Sequence, residues 1–141
     1  MTYRINELQF QLPDSPLHDA SINILKFPDL GTSLIISRSL LADGETLHSN
    51  FDEQLKRLEK QVQDLRFQPV QNVRVGADSA VDAIELRSQF SKGAENVYQY
   101  QLAFVQPDTR KMIALSYVKA QPLGEAEAAH WATLKQTLTF G

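Results

Sequence analysis

In Ser33-Leu34-Ile35-Ile36-Ser37, neighbouring side chains of an extended strand point to opposite faces. Leu34 and Ile36 share one side; Ser33, Ile35 and Ser37 share the other, and neither set holds a charge. Ser21-Ile22-Asn23-Ile24-Leu25 repeats the pattern, with Ile22 and Ile24 together and Asn23 and Leu25 opposite. Near Gln101, Leu102 and Phe104 form one side while Gln101, Ala103 and Val105 form the other. A sheet built from such strands has two faces that water does not readily accept. Either other elements cover both faces, or one stays open as an uncharged apolar surface.

Helical cover is scarce. Phe51, Leu55, Leu58, Val62 and Leu65 recur at alternating spacings of four and three, the mark of one buried helical stripe. Asn50 is placed to cap its first turn, with Glu53 at the reciprocal position. The other side of this helix pairs Asp52 with Lys56 and Glu53 with Arg57, which reads as a solvated charged face. A second stripe, Ala128, Trp131, Leu134 and Leu138, begins past Pro122 and Gly124 and runs to the end of the chain. The remaining regular segments read as strands: Tyr3–Leu12, Ser21–Phe27 and Ser33–Ser39 before the first helix, then Val70–Gly76, Ala80–Phe90, Asn96–Gln106 and Met112–Lys119. The order βββ-α-ββββ-α predicts an α+β fold with an antiparallel sheet, because parallel units need a helix between most strands.

Two helices of about sixteen residues, each covering a strip roughly 10 Å wide, are expected to shield one face of that sheet. The other face is then predicted to be open. It carries Ile22, Ile24, Ser33, Ile35, Ser37, Gln101 and Ala103, with Gln54 and Gln61 of the first helix at its rim. Contiguous exposed patches of this kind mark interaction sites. Serine and glutamine can bond to the backbone or small polar groups of a docked helix, contacts worth about 1 kcal/mol each between membrane helices. Two other readings fit the same pattern: a structural homodimer that closes this face against a second copy, and a carrier of a small apolar molecule.

With 43% hydrophobic residues in 141, the chain suits a single domain over residues 1–141. Met1–Gln11 lacks the pattern of a secretory leader, and no apolar run is long enough to span a bilayer, so direct membrane insertion is not expected. The absence of cysteine fits a reducing compartment, and a cytoplasmic location is expected. A net charge of −3, with 14 basic and 17 acidic residues spread along the chain, offers no footprint for nucleic acid or anionic lipid. His18, His48 and His130 show no metal-ligand spacing, and Glu127-Ala128-Ala129-His130 is half of a two-metal pattern whose other half is missing. Asp82 and Glu85 fall on opposite faces of one strand. No catalytic residue, metal or cofactor is expected, and the chain does not read as an enzyme.

SINILKFP (Ser21–Pro28), SLIISR (Ser33–Arg38) and EQLKRLEKQ (Glu53–Gln61), together with Tyr3-Arg4 and the glutamine-rich strand Tyr98–Gln106, resemble the DcrB-related Eag family. These are the effector-associated chaperones of bacterial type VI secretion. The resemblance implies a homodimer of Mog1p/PsbP-like fold whose concave faces shield N-terminal transmembrane helices of a secreted toxin before export. By similarity the client-binding residues fall on Ile22, Ile24, Ser33, Ile35, Ser37, Gln54, Leu58, Val62 and Gln101; Ala103 joins them from strand alternation alone. Leu58 departs from the small alanine of some relatives, which bears on the depth of the groove beside the helix.

Overall fold

The computed structural model describes residues 1–140. Along the chain lie β1 (Thr2–Arg4), β2 (Gln9–Gln11), β3 (Asn23–Phe27), β4 (Thr32–Leu40), α1 (Leu47–Gln61), β5 (Gln63–Phe67), β6 (Gln71–Val75), β7 (Val81–Lys92), β8 (Glu95–Val105), β9 (Lys111–Lys119) and α2 (Glu125–Gln136). The long strands β7, β8 and β9 are rich in Ile, Val, Leu and Tyr and form the middle of the sheet. Its order is β3-β4-β9-β8-β7, and the far edge of β7 is shared: β5 pairs with the Ser88–Ser91 end and β6 with Val81–Glu85. Every pairing is antiparallel. Gly31 (φ +68°) closes the β3–β4 hairpin and Gly93 (φ +63°) the β7–β8 hairpin, in a left-handed conformation that glycine adopts without strain.

The α+β class with an antiparallel sheet and two helices stands, with two strands more than the expected order. Tyr3–Leu12 is a hairpin, β1 with β2, instead of one strand, and the break in its alternation is the turn. β5 follows α1 directly, where the helical stripe was expected to continue. Val62 caps the helix in an extended conformation (φ −127°, ψ 169°) and Asp64 sits at φ +55°, so Leu65 belongs to β5. At its start α1 is capped by Thr46 rather than Asn50, with Ser49 completing a reciprocal pair of hydrogen bonds. α2 stops at Gln136, and Leu138 packs against the core from beyond its end.

The helices do not share a face. Trp131 of α2 is buried in a cluster with Leu34, Tyr100, Leu102, Phe104, Leu115 and Tyr117. Phe51 of α1 packs with Ile84, Leu86, Ala103 and Met112. Leu102 and Ala103 are adjacent on β8, so the two clusters lie on opposite sides of the sheet. The expectation of one doubly covered face was therefore incorrect. Period-two alternation shows that a strand has two apolar sides, but not which side each helix takes. The sheet needs both helices for its two faces, and α1, about 22 Å long, covers only part of its own.

A candidate client-binding face

Cross-strand pairing on the α1 side aligns Ile24, Ile35, Ser116, Gln101 and Leu86 in one row across five strands. The next row runs Lys26, Ser33, Val118, Gln99 and Ser88. α1 covers the Leu86 end of the first row and leaves the β3–β4–β9 end uncovered: Ile24 is 58% exposed and Ile22, one residue before β3, is 62% exposed. Ser33, Ile35, Ser37, Ser116, Val118 and Gln101 are half-buried. In these two rows the only charge is Lys26, on the edge strand. Gln99 is buried, and its Nε2 donates to Ser88 Oγ at 3.0 Å, so its amide is held in place.

Where α1 meets this surface, a cleft of about 290 Å³ opens between the helix and the sheet. Gln54, Leu58 and Gln61 form its helix wall; Leu86, Phe90, Gln99 and Gln101 form its floor. Gln54 is oriented by Asn50, whose Oδ1 accepts from Gln54 Nε2 at 2.7 Å. The surface beside this cleft is bordered by a helix and offers apolar area with hydroxyl and amide groups among it.

The DcrB family profile matches residues 7–137. The chain belongs to the DcrB family. The fold of this DcrB protein is also that of PA94, a protein of unknown function from Pseudomonas aeruginosa: the crystal structure superposes with a TM-score of 0.74 at 22% identity, covering 99% of this chain and 95% of that one. A search of curated proteins gives no match.

Of the client-binding residues expected for the DcrB chain, the fold gathers Ile22, Ile24, Ser33, Ile35, Ser37 and Gln101 on one side of the sheet, with Gln54 and Leu58 on the bordering helix. Val62 is the half-buried C-cap of α1 and is not part of the cleft lining. Ala103 has the same facing but is 1% exposed, sealed under α1 in the cluster around Phe51. Alternation reports the face, not whether a helix lies on it. Ser116, Val118 and Gln99 complete the surface and were absent from the expected set. Their signal was available, because Ala114-Leu115-Ser116-Tyr117-Val118 alternates as Ser33–Ser37 does.

Lys26 in the second row and Arg57 in the cleft lining are charged; the histidines and the paired carboxylates lie elsewhere. Among the described residues no group of three His, Asp or Glu side chains is placed to hold a metal ion. His48 bonds to Asn72 Oδ1 at 2.8 Å, while His130 meets the Tyr117 hydroxyl at 2.8 Å on the α2 side. Glu127 and Lys119 pair on that same side, and hydrogen bonding from Lys119 holds the carboxyl below the usual glutamate range. No helix among the described residues is long and apolar enough to cross a membrane.

Proposed function

We propose that this DcrB-family protein shields an apolar helix of a partner protein on the open half of its α1-side face. In the sharper form suggested by the Eag resemblance, the client is an N-terminal transmembrane segment of a type VI secreted toxin held before export. The observation that carries the reading is the row of uncharged side chains from Ile24 to Gln101, left uncovered at an end where isoleucines are more than half exposed.

The physics fits such a client. A transmembrane segment presents about twenty apolar residues, and burying a large one contributes roughly 1.5–3 kcal/mol. Its backbone groups already bond within the helix, so a receptor needs apolar area and a few polar contacts where small residues leave carbonyls accessible. Ser33, Ser37, Ser116 and Gln101 supply those contacts without placing a charge against the helix. The proposal includes no catalytic step and no cofactor, and it locates the protein in the cytoplasm. A carrier of small apolar molecules fits less well, because the 290 Å³ cleft is lined by Gln54, Gln61, Gln99, Gln101 and Arg57 among its apolar groups.

Co-expression with the hydrophobic N-terminal segment of a toxin encoded beside this gene tests the reading. A soluble complex is expected, lost with Ile24→Glu or Ile35→Glu while the variants keep the wild-type circular dichroism spectrum. A segment that is equally soluble without this protein contradicts it.

A further inference from the structure

On the α2 side of the sheet a cleft of about 680 Å³ opens among β5, β7, β8 and the Pro122–Leu123 segment that leads into α2. It has more than twice the volume of the cleft beside α1. Its position follows from strand register. Arg66 lies opposite Gln89, and Arg87 lies opposite Tyr100, which packs on Trp131 of α2. Alternation therefore turns Arg66, Arg87, Gln89 and Tyr98 to the α2 side.

Two arginines stand in this cleft with no carboxylate in its lining. As diagonal neighbours across the β5–β7 pair, Arg66 and Arg87 leave the sheet roughly 7 Å apart, close enough for both guanidinium forks to meet on one acid group. Arg87 is held in place: its guanidinium carbon lies 4.9 Å from the centre of the buried Tyr100 ring. The nearby Glu85 neutralises it only in part. Glu85 Oε2 accepts from Lys135 Nζ at 2.6 Å, whereas Glu85 Oε1 is 3.9 Å from Arg87 Nε, beyond hydrogen-bond range. The side chains of Arg66, Gln68 and Gln89 have no hydrogen-bonding or ionic partner among the described residues, and Asp64, in the adjoining cleft, forms no ion pair with Arg66. The rest of the wall is apolar, from the Tyr98 ring, Pro122 and Leu123.

We propose that this cleft binds a small organic anion, with its acid group bridged by Arg66 and Arg87 and its apolar body against Tyr98 and Leu123. The volume falls in the range of small-ligand sites, roughly 300–1,000 Å³. A bare inorganic anion leaves the apolar wall unused, and a neutral apolar molecule leaves the two arginines without a counter-charge. The site lies on the opposite face from the client surface, so it stands or falls separately from the function proposed above.

Naphthalenesulfonate and the uncharged naphthylmethanol, each titrated into the isotopically labelled full chain and followed by amide NMR, test this. The sulfonate is expected to shift the amides of Gln89, Tyr98 and Leu123. Arg66→Gln/Arg87→Gln is expected to weaken it roughly tenfold and to leave the weaker affinity for naphthylmethanol unchanged. Arg66 is exposed and has no bonded partner, so Arg66→Gln alone, with a several-fold loss, carries the same reading if the double variant loses its native spectrum. Equal binding of the two probes, undiminished sulfonate affinity in Arg66→Gln, or shifts confined to the α1 side around Ile35 and Gln101 overturns the proposal. An Arg66-dependent complex with a glutamate-rich peptide, in a protein that ignores the sulfonate, assigns the cleft to an acidic segment of another protein and likewise overturns it.

Discussion

Tyr117 is sealed from solvent, yet its hydroxyl is fully used: Thr32 Oγ1 donates to it at 3.2 Å, and it meets Nδ1 of His130 at 2.8 Å. The chain Thr32 to Tyr117 to His130 joins β4, β9 and α2 through three side chains. Tyr117→Phe keeps the ring packing and leaves the buried Thr32 hydroxyl without its acceptor. Urea denaturation should show a loss of about 1–3 kcal/mol, whereas an unchanged midpoint argues that the hydroxyl is solvated elsewhere. None of this was legible in the sequence, where His130 reads only as an isolated histidine on a helix. The residue facings were legible, because alternation alone separates Ile35 from Leu34 and Ile24 from Leu25. What alternation lacks is cover, and Ala103 shows the difference: correct face, wrong exposure.

At the scale of elements, α2 is held by its stripe and by two ion pairs, Lys119–Glu127 at its first turn and Lys135–Glu85 (2.6 Å) at its last. Because the Glu127 carboxyl is held below its ordinary value, the stability it contributes is full above that value and is lost as pH falls through the lowered one. Thermal melts between about pH 7 and pH 3 should show wild type losing its advantage over Glu127→Gln toward the acid end. A constant difference across that range contradicts the assignment. The helices and long strands were legible from periodicity, but their ends were not. The stripe through Val62 and Leu65 keeps perfect helical spacing across a chain that has already turned into β5. Thr46 and Asn50 both precede good helix formers, and Leu47, which packs beside Phe51, favours the earlier cap. A single slipped residue hid the β1–β2 turn.

For the molecule as a whole, the sheet has two apolar faces and one helix for each. α2 and its surrounding side chains bury Tyr117, Leu102 and Trp131 nearly completely, whereas α1 leaves the β3 side of its face open. The sequence pointed to an uncovered face from a mistaken placement of the helices; their distribution to opposite sides leaves Ile22 and Ile24 exposed, Ser33, Ile35, Ser37 and Gln101 half-buried, and Ala103 sealed. The absence of cysteine allows one introduced thiol to report on this surface alone. Ile24→Cys should react rapidly with an environment-sensitive dye in the native protein, and the dye should shift its emission to the blue when a synthetic lysine-flanked Ala/Leu helix of about twenty residues is added. Leu34→Cys, one strand away on the buried side, is the control. If the thiol at position 24 reacts no faster than the one at position 34, or its dye is unmoved at saturating peptide, the face is not an open receptor for an apolar helix.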